Sequence, residues 1–321
     1  MIMAAVVQPA AFSTANFNLP GYKDQAFAFL KGIEKNGLLL VDSPGRLRKE
    51  LVQHIASLST PVGQKVQGIL PELLKGERKR IFTCDENAAP NSTDCSSDDL
   101  SLRVAEVCQV DGLVTGAAGQ DRPPSLSSRI AIVPLQEYLS SDFEAMRDYF
   151  YSNFPPVDAP LVDTFEEMLV RSVRFSRWLR FYDSQIGRVE DLRSFGKGIE
   201  FILNLWLKCR HFVTTSGKVE IITPVKFRAS QEDILQAQQR IYRQIISPLQ
   251  SRYGVRIDLR MKYKRFHDRY LDADSVILSF GRGFDLFDYY DKLRPQRVRV
   301  DNAVYDHLRE LRESPDCGNR K

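Results

Sequence analysis

Three residues in the last fifth of the chain have the types and spacing of a phosphodiester site. His267 and Arg269 are two positions apart, so on a strand both side chains face one side of a sheet. Asp274 follows beyond a bend at 271–273, where it is expected to orient the imidazole or a cation. An imidazole can attack phosphorus, and a guanidinium can clamp two phosphate oxygens. The spacing therefore predicts a site that binds or cleaves a phosphodiester.

A glycine pair and several cations accompany these three residues. The net charge of the chain is only +4, so anion binding must come from local clustering of basic residues. Glycines on both sides of Arg282 allow the backbone to approach an anion closely. The predicted phosphate-binding residues are Arg269, Lys262, Lys264, Gly281, Arg282 and Gly283.

The order His267-x-Arg269-x4-Asp274, followed by a glycine segment, resembles the phospholipase D superfamily, whose signature is H-x-K-x4-D on a strand. The sequences FHDRY and GRGFDLF are most similar to the phospholipase-D-like module that follows MIT domains in eukaryotic membrane-abscission proteins. Bacterial proteins also carry similar modules. The resemblance covers residues 215–290 and implies catalytic roles for His267, Arg269 and Asp274.

Two departures from that superfamily bear on catalysis. Arg269 replaces the lysine of the signature, and a permanently charged guanidinium binds phosphate but does not donate a proton. Neither His211 nor His307 begins a second copy of the motif, so turnover implies a homodimer. Without a second copy the site only binds phosphate, and a purely structural role for His267 and Arg269 also remains open.

A second set of candidates consists of acidic residues in the first half. Asp42 ends the apolar run 38–41, and the carboxyl ends of strands open onto the ligand crevice of an α/β sheet. Three or four converging carboxylates can hold Mg²⁺ or Mn²⁺ and activate water. The predicted metal ligands are Asp42, Asp98 and Asp99, with Glu50 preferred to Glu72 as the middle acid.

These acids and the strand sequence VDGLVTG at 110–116 resemble the PIN family of metal-dependent ribonucleases. The resemblance covers residues 37–145 and implies a three-layer α/β domain with catalytic Asp42, Glu50 and Asp99. The last acid of that family is replaced here by Gly116 and two alanines. The alternative is that Asp42, Asp98 and Asp99 simply cap helices.

The elements predict an α/β fold with two domains. Strands alternate with helices in the first half, which favours a mostly parallel sheet. The second half begins with helices, including one predicted over 164–182, and a strand is predicted over 255–270. The basic, aromatic stretch 171–188 fits a core-packing helix better than a nucleic-acid surface. The predicted organisation is an N-terminal arm at 1–21, a PIN-like domain at 22–150, a linker at 151–163, a phospholipase-D-like domain at 164–312 and a flexible tail at 313–321.

The five cysteines are odd in number and contain no CxxC pair, which predicts reduced thiols and a cytoplasmic protein. The N-terminus has no basic region and no run approaches the length of a membrane helix, so no transmembrane segment is expected.

Three functions follow as hypotheses. The first is a metal-dependent ribonuclease joined to a domain that recognises nucleic acid, RNA above all, or another phosphorylated ligand. Such a pairing suits a bacterial defence or toxin-type effector that works with a partner protein. The second is a non-catalytic protein that binds phospholipid or a protein partner. The third is a homodimeric, metal-independent nuclease that uses His267.

Overall fold

The computed structural model divides the chain into two compact units, Met1–Tyr151 and Ser152–Lys321. It describes residues 3–74, 80–84, 95–116, 126–152, 162–210, 218–226, 228–274, 276–290, 292–294 and 298–317. Both units combine a sheet with helices, so the predicted α/β class is confirmed.

The first unit contains a five-stranded parallel sheet in the order β3-β2-β1-β4-β5. Its strands are short apolar runs that are buried on both faces, as is usual in parallel sheets. The strands are β1 (Met3–Val7), β2 (Gly37–Val41), β3 (Ile81–Thr83), β4 (Gly112–Thr115) and β5 (Ala131–Pro134). The helices are α1 (Thr14–Phe17), α2 (Tyr22–Asn36), α3 (Arg46–Ala56), α4 (Pro61–Leu74), α5 (Ser97–Val107) and α6 (Asp142–Ser152), with 3-10 turns at Pro9–Phe12 and Leu135–Ser140.

The expected N-terminal arm is wrong, because Met3–Val7 is the central strand of this sheet. Ala5 pairs with Leu39 on one side and with Gly112 on the other. Five apolar residues are far too few to cross a membrane but are a normal length for a strand buried on both faces.

The second unit contains a six-stranded sheet in the order β11-β10-β9-β6-β7-β8. Its strands are β6 (Trp178–Tyr182), β7 (Lys218–Pro224), β8 (Ile257–Lys262), β9 (Tyr270–Ala273), β10 (Val276–Phe280) and β11 (Val298–Val300). Its helices are α7 (Val162–Val173), α8 (Arg193–Cys209), α9 (Gln231–Ile241), α10 (Ser247–Tyr253) and α11 (Tyr305–Glu313); a π-helical turn (Tyr242–Ile246) joins α9 to α10 and a 3-10 turn (Asn302–Val304) precedes α11.

Strand direction in the second sheet decides which chain segments meet. Strands β6, β7 and β8 are parallel, whereas β9 is antiparallel to β6 and β10 is antiparallel to β9. The carboxyl ends of β6, β7, β8 and β10 therefore lie at the same edge as the amino end of β9. We call this edge the carboxyl edge of the second sheet.

Two predicted elements in this unit are corrected. Residues 178–182, expected to continue a helix, form the strand β6. Their large side chains alternate between the two faces, so that Tyr182 packs in one apolar cluster while Phe181 contacts Phe284 in another. The strand predicted over 255–270 ends at Lys262, and residues 263–269 form a loop before β9.

Two further expectations concern the cysteines and the tail. The structure pairs the sulfur atoms of Cys84 and Cys108, and the reduced state of the thiols stays a prediction. Within the expected flexible tail, the backbone N–H of Cys317 donates a hydrogen bond of 2.7 Å to the carbonyl of Met261 on β8, and residues 318–321 lie outside the described residues. In the part of the chain that the structure describes, no helix has the length and apolar character needed to cross a membrane.

Candidate functional site

The carboxyl edge of the second sheet brings together three segments that are far apart in sequence. Asp183 directly follows β6, Arg269 directly precedes β9, and the turn 281–284 directly follows β10. Strand β6 is parallel to β7 and antiparallel to β9, so the end of β6 lies beside the end of β7 and the beginning of β9. Ligands of α/β sheets commonly bind at such edges.

Asp183 is the buried acid of this edge. Its carboxylate accepts hydrogen bonds from the backbone N–H groups of Gln185 at 2.7 Å and Phe284 at 3.2 Å. Burial raises the pKa of Asp183 to about 6, although backbone N–H donors and the charge of Arg269 act in the opposite direction. A carboxyl group therefore stands at the centre of the site and changes charge just below neutral pH.

Arg269 and Gly283 pack against that carboxyl group. Gly283 has φ of +78°, and a Cβ there would lie 2.3 Å from Asp183 Oδ2 and 3.0 Å from Arg269 Cγ. Only glycine fits this position, both for conformation and for space. The Arg269 Nη1 lies 3.5 Å from the Gly281 carbonyl, and its buried Nε has no acceptor among the described residues. Arg269 thus offers a guanidinium whose donors are not all used by the protein.

His267 lies beside this group with its side chain exposed to solvent. Its backbone carbonyl accepts a hydrogen bond of 3.1 Å from the Ser184 hydroxyl, which ties the loop 263–269 to the end of β6. The preceding Phe266 is buried against Tyr182. His267 and Arg269 therefore sit on a loop rather than on the predicted strand, yet both remain at the same edge of the sheet.

Asp274 does not belong to this site. It follows the other end of β9, so the whole of the strand separates it from Arg269. Its buried carboxylate forms an ion pair with Arg177, with a distance of 2.6 Å between Arg177 Nε and Asp274 Oδ2. From the sequence, Asp274 was expected to orient either an imidazole or a cation. In the structure its partner is the cation Arg177, at the edge of the sheet opposite the carboxyl edge.

The other predicted phosphate ligands divide into two groups. Lys262 is fully buried, where its ammonium contacts Asp316 at 2.7 Å and the carbonyl of Arg312 at 2.7 Å. It holds the C-terminal segment on β8 and does not reach a ligand. Lys264 is exposed with a weak ion pair of 3.3 Å to Glu310, and Arg282 and Gly281 are exposed on the turn after β10.

In the first unit, Asp42 acts as a helix cap. Its two carboxylate oxygens accept hydrogen bonds from the N–H groups of Arg46 at 2.8 Å and Leu47 at 2.7 Å, in the first turn of α3. The side chain is 1% exposed. Both oxygens are engaged and face the helix, so Asp42 does not fit the role of a metal ligand open to substrate.

Glu50, Asp98 and Asp99 lie near one another at the start of α5. Glu50 contacts Arg46 at 2.9 Å and also accepts a hydrogen bond from the Ser97 hydroxyl. The pKa of Asp98 is raised first by desolvation and then by the charges of Asp99 and Glu50. Asp99 also accepts a hydrogen bond from the Ser96 hydroxyl, and Glu72 is exposed on α4.

Across the described part of the chain, no group of three or more His, Cys, Asp or Glu side chains is arranged to hold a metal ion. The Mg²⁺ or Mn²⁺ centre that the PIN resemblance implied therefore stays a prediction.

The centre of the first sheet carries uncharged groups at its carboxyl edge. Gln8 follows the central strand β1, and its backbone N–H donates a hydrogen bond of 2.9 Å to the carbonyl of Val114. Thr115 ends β4, and its buried hydroxyl has no partner among the described residues. Sequence reasoning missed Gln8 because β1 was not recognised as a strand.

Asp183 was also missed, since residues 178–182 were assigned to a helix. The signal that could have found it is the alternation of the side chains of residues 178–182 between two faces, which is typical of a strand. That strand would have placed Asp183 directly after it.

Comparisons with protein-family models, with curated proteins and with solved structures found no match to this chain. The fold and the site define an α/β protein in which Asp183, Arg269 and Gly283 lie together at the carboxyl edge of the second sheet.

Proposed function

We propose that the second unit binds the phosphodiester backbone of nucleic acid, RNA above all, at the carboxyl edge of its sheet. The observation that carries this proposal is the placement of Arg269, which is partly exposed and whose guanidinium lies beside the glycine turn, with Nη1 3.5 Å from the Gly281 carbonyl. A guanidinium binds phosphate through two parallel hydrogen bonds, and it keeps its charge at every physiological pH.

The surroundings of Arg269 add to this support. His267 and Lys264 are exposed on the loop that leads to Arg269, and Arg282 is exposed on the turn after β10. These segments therefore carry further donors for phosphate oxygens. Binding through such contacts neutralises phosphates and releases counterions, so the affinity falls as salt is raised.

The first experiment measures binding of a short labelled oligouridine to the full chain and to Arg269→Ala. We expect the variant to bind about tenfold more weakly, which corresponds to one charged hydrogen bond of roughly 1.5 kcal/mol. Arg256→Ala is the matched control, since Arg256 is an exposed arginine just before β8, at the opposite edge of the same sheet. Equal affinity of the two variants would overturn the proposal.

The same assay distinguishes other phosphate ligands. Vesicles that contain anionic phospholipid replace the oligouridine in a parallel arm. If vesicles bind in an Arg269-dependent manner and oligouridine does not, the site recognises lipid headgroups and the nucleic-acid assignment is wrong.

Metal-dependent RNA cleavage by the first unit is a second candidate, and one observation favours it. Desolvation raises the pKa of Asp98 first, and the charges of Asp99 and Glu50 raise it further, so the three acids lie close enough to interact. Asp42 plays no part in this version, because its carboxylate caps α3.

Incubation of the full chain with labelled RNA in Mn²⁺ or in EDTA tests this candidate. Cleavage that requires metal and is lost in Asp98→Asn would support it, provided that His267→Ala keeps the activity. Cleavage that persists in EDTA and is lost in His267→Ala would instead place a nuclease centre at the carboxyl edge of the second sheet.

A further inference from the structure

The segment between β10 and β11 presents two adjacent tyrosines to solvent. Tyr289 is 91% exposed and Tyr290 is 78% exposed, the two highest values among the exposed large hydrophobic side chains of the described residues. Their rings meet edge to face with centroids 5.5 Å apart. Aromatic side chains that are not buried within the protein often serve as contact points for a partner.

Hydrogen bonds fix the segment that carries these rings. The Asp288 carboxylate accepts hydrogen bonds from the N–H groups of Tyr290 and Lys292, each at 2.9 Å. The amide of Asp288 donates to the carbonyl of Lys292, also at 2.9 Å, and Phe287 pairs with Leu293. We call residues 287–290 together with 292 and 293 the tyrosine loop; residue 291 lies outside the described residues.

The base of the tyrosine loop is anchored in the second unit. Arg294 donates a hydrogen bond of 2.8 Å from Nε to the carbonyl of Phe287 and forms an ion pair with Asp285. The ring of Phe287 packs edge to face on Phe201 of α8. The residues on both sides of the two tyrosines are therefore held by contacts within the second unit, which lowers the entropy cost of binding through the rings.

We infer that the tyrosine loop is a stacking platform for unpaired nucleobases, so that the ligand of the second unit is single-stranded nucleic acid. The inference rests on the proposed function, because the loop continues directly from the glycine turn at the phosphate site. Tyr289 is five positions after Phe284, a reach of at most about 18 Å. A strand of several nucleotides whose phosphate contacts Arg269 can span that reach and place a base on the tyrosines.

The charges beside the loop favour a nucleic acid over an apolar partner. Arg282 and Lys292, one before the loop and one within it, are both exposed, whereas the nearby carboxylates are engaged within the protein: Asp285 by Arg294, and Asp288 by backbone N–H groups of the loop. Proteins that bind single strands combine cations for the backbone with aromatic rings for the bases. A duplex keeps its bases stacked inside, so it offers the tyrosines no base to contact.

The experiment compares a short labelled oligouridine with an abasic strand of the same length, which retains the sugar–phosphate backbone. We expect the full chain to bind oligouridine about tenfold more tightly than the abasic strand, the scale of one stacked base. The double variant Tyr289→Ala and Tyr290→Ala should bind both strands equally, whereas the double Tyr→Phe variant should keep the preference. Tyr242→Ala, which removes an exposed tyrosine from the π-helical turn, is the matched control and should also keep it.

Each outcome separates the inference from the proposed function. Equal binding of the two strands by the full chain, or a preference that survives the double alanine variant, would overturn the stacking platform and leave phosphate binding intact. Binding of neither strand would overturn both. A preference lost equally in Tyr242→Ala would show a general effect of aromatic removal and would likewise refute the assignment.

Discussion

At the scale of single residues, the site depends on a carboxyl group and a guanidinium held together by one glycine. Gly283 leaves room for Asp183 and Arg269 to approach the same backbone turn, and the backbone N–H of Phe284 holds the carboxylate in place. The negative charge of Asp183 offsets part of the positive charge of Arg269. Phosphate binding should therefore depend on the protonation of Asp183.

Affinity for oligouridine should rise as the pH is lowered from 7.5 to 5. The pKa of Asp183 is raised to about 6 by burial, so the group is charged above that pH and neutral below it. Loss of the charge leaves Arg269 without a competing anion, and we expect about fivefold tighter binding, or roughly 1 kcal/mol.

The measurement is a titration at constant ionic strength in a His267→Asn background, because imidazoles as a class also gain a proton in this range. Asp183→Asn in that background should bind tightly at both pH values. A pH profile that Asp183→Asn leaves unchanged would show that Asp183 has no influence on binding.

Asp274 should not contribute to binding. Asn tolerates the left-handed backbone at this position, where φ is +54°, so Asp274→Asn removes the charge without disturbing the turn. Burial raises the pKa of Asp274 in spite of the ion pair with Arg177, so loss of the charge should change the free energy of unfolding by no more than about 1 kcal/mol at neutral pH. Urea denaturation measures the stability, and the oligouridine assay measures binding. Weaker binding at unchanged stability would return Asp274 to the site.

At the scale of elements, the first sheet depends on β1. This strand supplies hydrogen bonds to both β2 and β4, so the two halves of the sheet are joined only through it. The position of helix α3 likewise determines the role of Asp42. Because α3 begins just past the end of β2, the carboxylate of Asp42 meets its free N–H groups and becomes a cap.

Val6→Asp should prevent the first unit from folding. Val6 is fully buried at the centre of the sheet, and an unpaired charge there costs more than about 4 kcal/mol, a large part of the stability of a domain. Val107→Asp introduces the same charge at a half-exposed position on α5 and should leave the fold intact. Circular dichroism and limited proteolysis distinguish the two, and a folded Val6→Asp protein would mean that β1 does not occupy the centre.

At the scale of the whole molecule, the chain contains two compact units, each with its own sheet and buried core. All of the residues assigned to the phosphate site and the tyrosine loop belong to the second unit. The paired sulfur atoms of Cys84 and Cys108 belong to the first.

The second unit, expressed as residues 152–321, should fold alone and retain the affinity of the full chain for oligouridine. It is a compact unit with its own six-stranded sheet and buried apolar residues. Thermal unfolding followed by circular dichroism would show a cooperative transition, and the binding assay would give an unchanged Kd. A folded fragment that has lost affinity would place part of the binding surface in the first unit.

The amino-acid sequence by itself determined the elements whose signals are local. The apolar run before Asp42, the strand at Leu113–Thr115 and the Ser230 cap of α9 are all where they were predicted, because burial, propensity and capping act over a few residues. The glycine turn after β10 is likewise present. The PIN-like and phospholipase-D-like assignments remain predictions.

Only the tertiary structure decided which of these residues act together. Asp183 and Arg269 meet because β9 runs antiparallel beside β6, and Asp274 is carried to the opposite edge by the same strand. Asp42 faces a helix instead of a ligand because of where α3 begins. Strand order and direction are set by the packing of the whole sheet, and no short stretch of sequence contains that information.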